Sequence, residues 1–387
     1  MRVLLLLAGT GLLLAAVQAV ALRVHLSSRK PKPRATPFIS ILKPLCGVDD
    51  ALFANLRSFA RLDYSLYEIL LGVKDIRDPA YALAVRAAQS WPGLVRVVLQ
   101  RGAPGFNPKV NQLITLATVA HGEILVVSDS NIRVGRDYLR GIAAAFDDPQ
   151  TGLVTHPVAG IGERDLGALL DNLTLCGSVA AGIVSARRVA GQDLVVGKSM
   201  ALRRSDLHLM GGFERLKDVL AEDFLCGRIV VDELGKKVAL LQQPVFNVCR
   251  RQCTAAFFAR YLRWSVMQRK AVSNAAYAAQ ILLNPVALAA AAALVSPGRT
   301  TISALCFAAA VRACLHQSSA RALRGRGFSF FILLAPLADL LLACAWACGL
   351  FRSEITWRGN RLAVREGTRL EVVTRPDFAA PEPRAAA

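Results

Sequence analysis

The stretch ILVVSDSNIRVG, residues 124–135, decides the fold. Four apolar residues of strand character run into Ser128-Asp129-Ser130-Asn131, and the chain then resumes as a new segment. A carboxylate at the end of a buried strand either holds a metal ion or, as a turn residue, caps the next element. The segments around Asp129 show what kind of fold this carboxylate belongs to.

Strand-like and helix-like segments alternate along the chain before Asp129. Apolar runs of strand length occupy residues 37–45, 67–75, 94–100 and 123–129, and helical periodicity occupies 52–62, 81–91 and 109–120. This alternation predicts an α/β fold with a doubly wound, mainly parallel sheet. Ligands bind at the carboxyl ends of the strands in such sheets. Asp75 and Asp129 both end strands, so we expect both carboxylates to face one crevice.

The sequence after Asp129 is less regular. We predict a strand entering a loop at 152–160, a helix at 167–186, a strand pair with a short helix at 193–213, a helix leading into a strand after Gly235 at 220–241, and a basic amphipathic helix at 254–270. Residues 36–250 are assigned to one α/β domain, and residues 251–272 to a helix that lies flat at a membrane surface.

Apolar segments flank this domain, and hydrophobic residues make up 54% of the chain. Residues 3–22 carry no charge over a length that spans a bilayer, so residues 1–25 are predicted to form a transmembrane anchor. A cleaved signal peptide is the alternative, because Ala19-Val20-Ala21 resembles a cleavage site. Three further apolar stretches at 276–295, 302–315 and 328–351 predict a membrane region over residues 273–352, followed by a tail at 353–387 whose last ten residues look disordered.

The orientation of these segments follows from the positive charges beside them. Basic residues directly after the anchor favour a cytoplasmic location for the domain, and the chain is predicted to be a multi-pass protein of the cell membrane. Three full spans in the C-terminal region would put the tail on the opposite side, whereas the arginines between 352 and 369 favour the cytoplasmic side. A break at Pro285 or Pro336 would reconcile the two, and the sequence leaves this open.

The chain is strongly basic, with a formal net charge of +19. Much of the excess lies beside apolar segments, which suits contact with an anionic membrane surface. Nucleic acid is not expected as a partner, because no helix-turn-helix, zinc-finger or RNP pattern is present. The nine cysteines are scattered and fit free thiols in a reducing compartment, without a zinc site.

Four features of the domain carry potential chemistry. They are the strand-end acids Asp75 and Asp129, the Glu222-Asp223 pair at a helix start, and Arg260-x-x-Arg263-Trp264 on one face of a helix. Each alone has an ordinary structural explanation: a turn or N-cap residue, a complement to the helix dipole, and interfacial anchoring. Their combination and order are more informative than any one of them.

This order resembles the nucleotide-sugar glycosyltransferases with a GT-A fold, and more closely the ceramide glucosyltransferase family, glycosyltransferase family 21, which is related to family 2. The chain resembles a bacterial member. Seven segments between residues 37 and 365 look like that family's segments in the family's order: LKPLCGVD (42–49), LLGVKDIRDP (70–79), GFNPKVNQL (105–113), VSDSNIRV (127–134), LAEDF (220–224), RYLRW (260–264) and ITWRGNRLAV (355–364).

The resemblance implies roles for residues on the donor side. Asp129 is implied to coordinate a divalent cation, Mg²⁺ or Mn²⁺, that neutralises the leaving diphosphate of a UDP-sugar. Asp75 stands at the family's uridine-contacting position. Lys109 and Asn111 resemble further nucleotide contacts. Asn131 replaces the second acid of the usual Asp-x-Asp, so metal affinity would depend more on Asp129 and on the phosphates.

On the acceptor side, Asp223 is the implied general base, which takes a proton from an acceptor hydroxyl that attacks the anomeric carbon from the opposite face. Arg260, Arg263 and Trp264 are implied to hold the diphosphate and to wall the acceptor side. Animal ceramide enzymes carry a His-Pro near the region aligned with residues 176–181, and this chain has no histidine there. The acceptor therefore stays open.

The leading prediction is an inverting transfer of glucose from UDP-glucose to a membrane lipid, ceramide, giving a β-glycolipid. The nearest alternative is the same chemistry with UDP-N-acetylglucosamine and a hopanoid. A processive polysaccharide synthase is disfavoured by the small membrane region. A catalytically inactive membrane scaffold that binds anionic lipid is the alternative from another class, and the intact acid and arginine set speaks against it.

Overall fold

The computed structural model describes residues 1–29, 31–357 and 360–373. The first part of the chain forms helix α1 (Arg2–Leu26), followed by β1 (Ile39–Pro44), α2 (Leu52–Phe59), β2 (Tyr67–Val73), α3 (Ala80–Ser90), β3 (Val95–Leu99), α4 (Pro108–Val119) and β4 (Ile124–Ser128). Each predicted strand and helix before Asp129 is present. The last ten residues, predicted to be disordered, lie outside the described residues.

The second half of the domain adds shorter elements. They are β5 (Ile132–Arg133), α5 (Tyr138–Ala145), β6 (Thr151–Thr155), β7 (Val158–Ile161), α6 (Leu166–Thr174), α7 (Ala180–Ala190), β8 (Ser199–Arg203), α8 (Arg204–Leu209), α9 (Glu222–Arg228), β9 (Lys237–Leu240) and β10 (Val245–Val248). A π-helical turn at Leu175–Val179 joins α6 to α7, so the helix predicted at 167–186 is continuous.

The C-terminal part is helical and then returns to strands. It contains α10 (Thr254–Ala271), α11 (Asn274–Ala279), α12 (Pro285–Val295), α13 (Arg299–Arg324), α14 (Ala335–Phe351), β11 (Glu354–Trp357), β12 (Asn360–Val364) and β13 (Leu370–Val372). The last three strands form a small antiparallel sheet. The segment assigned to a tail is therefore partly a folded element.

The main sheet has seven strands in the order β3-β2-β1-β4-β8-β6-β9. Strands β1 to β4 are mutually parallel, with Ile41 beside Ile69 on one side and Val126 on the other. Strand β8 runs antiparallel to both of its neighbours. The predicted doubly wound, mainly parallel sheet is thus observed. Strands β1 and β4 are buried on both faces, which explains their nearly continuous apolar sequences.

Each face of the sheet has its own hydrophobic core. Residues that alternate along the strands separate the two cores, because successive side chains point to opposite faces. Ile41 and Val126 pack with Phe59 of α2 on one face, and Leu42 and Val127 pack with α4 on the other. The end of β4, where Asp129 follows, is therefore held rigidly between two packed layers.

Two segments differ from their predicted structure. Residues 193–213 contain one strand, β8, and not a strand pair. The residues before β8 bond instead to side chains, since Val196 N donates to Thr155 Oγ1 at 3.2 Å and Gly197 N donates to Asp223 Oδ2 at 2.5 Å. Residues 152–160 form two strands, β6 and β7, because Pro157 interrupts them. Strand β7 leaves the main sheet and joins β5 and β10 in a second one.

Three described helical segments are long and apolar enough to cross a membrane: Arg2–Leu26, Leu166–Ala190 and Ser329–Phe351. The second is mostly buried within the protein, so its apolar composition serves packing. A fourth candidate, Asn274–Leu283 with Pro285–Val295, is bent by 83°. Pro285 therefore stands at a break, where Asn284 caps α12 by accepting from Ala287 N at 3.2 Å.

Both ends of the C-terminal helical region contact the α/β domain. Arg324 at the end of α13 pairs with Glu163, which follows β7, at 2.7 Å. Beyond α14, Leu220 N donates to Thr368 O at 2.9 Å, just before α9. The chain thus leaves the domain at α10 and returns to it by the end of α13 and again after α14. The C-terminal sheet consequently packs close to the α/β domain.

Candidate functional site

The carboxylate of Asp129 lies between two lysine side chains at the carboxyl end of β4. Lys109 Nζ is 3.0 Å from Asp129 Oδ1, and Lys198 Nζ is 3.0 Å from Asp129 Oδ2. These side chains remain partly accessible, with 25% of the Asp129 side chain, 18% of Lys109 and 15% of Lys198 exposed. We call Asp129, Lys109, Lys198, Glu222 and Asp223 the charged cluster.

Local sequence positions Lys109 at the first turn of α4. Asn107 is the N-cap, and its side chain accepts from Lys109 N at 3.0 Å and Val110 N at 3.2 Å. Pro108 occupies the first helical position, where a missing N–H costs nothing. Helix α4 consequently begins beside the end of β4, and Lys109 contacts Asp129 across the crevice.

Helix α9 brings two further acids into the charged cluster. Glu222 Oε1 lies 2.9 Å from Lys109 Nζ. Asp223 accepts from Gly197 N at 2.5 Å and from Phe224 N at 2.8 Å. A Cβ at Gly197 would stand 2.8 Å from Asp223 Oδ2, so a larger residue there would require the carboxylate or the loop to shift. The loop that carries Gly197 and Lys198 thus touches both Asp129 and Asp223.

The surroundings move the pKa values of Asp129 and Asp223 in opposite directions. Burial alone would raise the pKa of Asp129, but the ammonium groups of Lys109 and Lys198 hold it well below its usual range. Burial, reinforced by the neighbouring charge of Glu222, raises the pKa of Asp223 to about 6. One carboxylate therefore stays ionised, while the other can take up a proton near neutral pH, as acid–base chemistry requires.

Lys43 is a buried lysine beneath the charged cluster that the sequence analysis missed. Its Nζ donates to Asp129 O at 2.8 Å and Ser128 Oγ at 3.2 Å, and lies 3.8 Å from the ring centre of Phe59. Burial lowers the pKa of Lys43 to about 7, against the raising effect of Asp129. A lysine inside the otherwise apolar run 37–45 was the available signal.

Of the two residues expected to contact the nucleotide, Asp75 lies in the loop after β2 and Asn111 lies in the first turn of α4. Asp75 is partly exposed, and its carboxylate accepts from Arg77 N at 2.8 Å and from the Arg77 guanidinium. Asn111 is buried and exchanges hydrogen bonds with both backbone groups of Gly105, at 2.9 and 2.8 Å. Asn111 thus braces the glycine-rich loop before α4.

The RxxRW residues lie on α10, which packs against α6 and α14. Arg260 pairs with the buried Asp171 of α6 at 2.7 Å, and Tyr261 donates to the same carboxylate at 3.1 Å. Trp264 lies edge-on to Tyr261 with ring centres 5.3 Å apart and also packs against the core of the main sheet. Arg263 is on the same helix. The positive charge of Arg260 is thus balanced within the helical layer.

The fit of a divalent cation at Asp129 depends on which oxygen atoms are available. Asp129 and Asn131 supply oxygens of the kind that Mg²⁺ and Mn²⁺ bind. Lys198 Nζ lies 3.0 Å from Asp129 Oδ2 and 3.3 Å from Asn131 Oδ1, while Lys109 takes the other carboxylate oxygen. The part of the chain that the structure describes holds no group of three or more His, Cys, Asp or Glu side chains placed to bind a metal ion. In this arrangement the residues do not fit the cation, and the assignment of Asp129 as a metal ligand stays a prediction.

Fold and site together define a class of protein. It is an α/β protein joined to apolar helices, with a charged cluster at the carboxyl ends of its central strands. In open α/β sheets this edge is where nucleotide ligands bind.

Comparison with known proteins identifies the family. The family model described as glycosyl transferase family 21 matches residues 3–370. Ceramide glucosyltransferase 1 of Caenorhabditis elegans is 25% identical over 244 residues, 62% of this chain and 52% of that protein. The ceramide glucosyltransferase of Komagataella phaffii is 30% identical over 207 residues, 47% of this chain and 41% of that protein. A solved mannosyltransferase of Pyrobaculum calidifontis in complex with GDP-Man and Mn²⁺ is 20% identical with a TM-score of 0.48, covering 89% of this chain and 99% of that one.

The chain belongs to glycosyl transferase family 21. The predicted family and the glycosyltransferase class are confirmed, and the predicted α/β fold is observed, with helices apolar enough to span a membrane at the N-terminus and in the C-terminal region. The chain matches about half the length of the curated relatives.

Proposed function

We propose that this protein transfers a hexose from a UDP-sugar to a hydroxyl group of a membrane lipid, with inversion at the anomeric carbon. The observation that carries the proposal is the charged cluster, in which a permanently ionised Asp129 and a proton-accepting Asp223 are tied to one loop. Apolar helices adjoin the same domain, so a water-soluble donor and a lipid acceptor can meet there.

The donor half of the reaction needs positive charge beside the leaving diphosphate. Lys109 provides an ammonium group at the N-terminus of α4, where the helix dipole also favours an anion. Asp75 and Asn111 are proposed nucleotide contacts. Asp75 would accept from the uracil or ribose, and Asn111 would hold the loop at Gly105 in place around the nucleotide.

The acceptor half needs a base. Asp223 would accept the proton of the lipid hydroxyl as the oxygen attacks the anomeric carbon from the face opposite the diphosphate. A single displacement inverts the configuration, so an α-linked donor gives a β-glycoside. Trp264 and Arg263 are proposed to wall the acceptor side, and Arg260 to position α10 through its ion pair with Asp171.

Glucose and ceramide are the proposed donor sugar and acceptor. The support is that similar proteins, which match 62% and 47% of this chain, are ceramide glucosyltransferases. The absence of histidine in residues 176–181 keeps a hopanoid with UDP-N-acetylglucosamine as the competing pair. We propose that α1 anchors the protein in the cell membrane with the domain on the cytoplasmic side, as the basic residues after α1 favour.

The test is an assay of purified membranes with labelled UDP-glucose and UDP-N-acetylglucosamine, each offered ceramide and hopanoid acceptors, with and without Mg²⁺ or Mn²⁺. A β-glycolipid formed from UDP-glucose and ceramide supports the proposal. Product from the other pair alone would reassign the substrates, and no transfer from either donor would favour a lipid-binding scaffold.

Two variants control the same assay. Asp129→Ala should abolish transfer, because the lysines lose the carboxylate that holds them. Arg263→Ala should also abolish transfer while the protein remains in the membrane fraction. Turnover at the wild-type rate by Arg263→Ala would remove Arg263 from the proposed site.

A further inference from the structure

The side chain of Lys198 lies between the side chains of Asp129 and Asn131. Its ammonium group lies 3.0 Å from the carboxylate of Asp129 and 3.3 Å from the amide oxygen of Asn131. One carboxylate oxygen of Asp129 and the amide oxygen of Asn131 are therefore bound to the same lysine, while Lys109 binds the other Asp129 oxygen.

The charges of the segment explain why a monovalent group suits this place. Two acids at these positions would carry two negative charges, which a divalent cation balances. With Asn131 in the second position the segment carries one negative charge, and a single ammonium group balances it. The same substitution that weakens a metal site therefore makes a lysine sufficient.

We propose that Lys198, assisted by Lys109, binds the diphosphate of the donor in the place of a divalent cation, so that donor binding needs no metal. This inference rests on the proposed function and goes beyond it by assigning the diphosphate charge to a residue of the chain. An ammonium group has three N–H donors. Within the described residues Lys198 directs two of them to Asp129 and Asn131, and the third is available to a phosphate oxygen.

The position of Lys198 also links the two halves of the reaction. Lys198 follows Gly197, whose N–H bonds Asp223 and whose carbonyl accepts from Lys109 at 2.9 Å. Gly197 bonds the proposed base Asp223, and the next residue, Lys198, would bind the diphosphate. The backbone of Gly197 thus fixes the position of the diphosphate relative to Asp223.

A purely structural ion pair is the competing explanation, and solvent access argues against it. In the structural pair of Lys236 with Asp206, the lysine side chain is 25% exposed but the carboxylate is only 1% exposed, so solvent reaches one partner and not both. In contrast, 25% of the Asp129 side chain and 15% of the Lys198 side chain are exposed. A phosphate can therefore reach the ammonium group of Lys198 from solvent.

The experiment measures UDP binding by calorimetry to the full-length protein in detergent, in excess EDTA and in excess MnCl₂. The variants are Lys198→Met, Lys198→Arg and the control Lys237→Met, which removes the same charge from an exposed position on β9. We expect wild type and Lys237→Met to bind UDP equally well in both buffers. Lys198→Met should lose about tenfold or more in affinity in EDTA, and Lys198→Arg should retain most of it.

A second variant keeps the test decisive if Lys198→Met does not fold. Asn131→Asp restores the second acid, and its UDP binding should become stronger with Mn²⁺ than in EDTA, with bound Mn²⁺ detected by electron paramagnetic resonance. Wild-type UDP binding that requires Mn²⁺, or unchanged binding by Lys198→Met, would overturn this inference and leave the proposed function standing. If wild type binds no UDP in either buffer, both are overturned.

Discussion

Asp129 and Asp223 are the same residue type and both contact the loop of Gly197 and Lys198, but their surroundings give them different pKa values. Asp129 receives two ammonium groups and stays ionised. Asp223 receives two backbone N–H groups but is buried beside Glu222, so its proton is held more tightly. Pairs of carboxylates with separated pKa values are typical of sites that transfer protons.

The first prediction concerns the pH dependence of the proposed base. A base must be deprotonated to act, and the pKa of Asp223 is raised to about 6. We therefore expect kcat/KM to be constant above this pH and to fall as the pH drops through it. Asp223→Asn should lower kcat about 10²- to 10⁴-fold with UDP affinity preserved. A profile without this decline, or near-normal turnover of the variant, would contradict the role of Asp223.

The second prediction concerns the close approach at Gly197. Gly197→Ala would place a Cβ 2.8 Å from Asp223 Oδ2, so the carboxylate or the loop must shift. We expect transfer to fall at least about tenfold, since a displacement of this size misaligns a reacting group. Gly182→Ala on α7 is the matched control, because a Cβ there meets nothing within 4 Å. Equal activities of the two variants would argue against the positioning of Asp223 by this loop.

At the scale of elements, the RxxRW residues of helix α10 make contacts with different parts of the protein. Arg260 forms an ion pair with Asp171 of α6, and Trp264 packs against the core of the main sheet. Arg260, Arg263 and Trp264 were predicted to hold the diphosphate and to wall the acceptor side. The ion pair of Arg260 with the buried Asp171 also connects α10 to α6 and fixes the relative position of the two helices.

The third prediction concerns the contribution of the Arg260–Asp171 ion pair to stability. Asp171→Ala leaves the Arg260 charge buried without its partner, and we expect a loss of about 3–5 kcal/mol in the free energy of unfolding. The double variant Asp171→Leu/Arg260→Met removes both charges and should recover most of that loss. Thermal unfolding in detergent gives the comparison. A single variant as stable as wild type would show that the pair contributes little.

At the scale of the whole molecule, the C-terminal region folds back onto the α/β domain. The sheet of β11, β12 and β13 reaches the backbone just before α9 through Thr368, and Arg324 reaches Glu163. Between them, Arg312 of α13 and Asp339 of α14 form a buried ion pair at 2.8 and 2.9 Å. The apolar helices, the α/β domain and the C-terminal sheet are thus connected by direct contacts.

The fourth prediction follows from this return of the chain. Cysteines introduced as Glu366→Cys in the C-terminal segment and Arg101→Cys in the domain should react with a membrane-impermeant thiol reagent from the same side of sealed vesicles. Peptide mapping by mass spectrometry distinguishes them from the nine native cysteines. Permeabilised vesicles, where both sites should react, provide the control. Labelling of the two cysteines from opposite sides would contradict the prediction that the C-terminal segment and the domain lie on one side of the membrane.

The sequence by itself determined the α/β class, the membrane segments and the family, because these depend on local periodicity, on composition and on motifs in chain order. Asp75 and Asp129 could be placed at strand ends for the same reason: strands of one parallel sheet end at one edge. The break before Pro285 could also be anticipated, since proline lacks the N–H that a continuous helix needs.

Only the tertiary structure decided which groups meet at Asp129 and which part of the domain the C-terminal segment contacts. Lys198 contacts Asp129 from a loop without regular structure. Thr368 O accepts from Leu220 N, although the C-terminal helices lie between these two residues in the sequence. Neither contact has a local signal, because the residues are far apart in sequence and their own neighbours predict only a strand pair and a tail. Chain folding brings them together, and with them the balance of charge that sets the pKa values of Asp129 and Asp223.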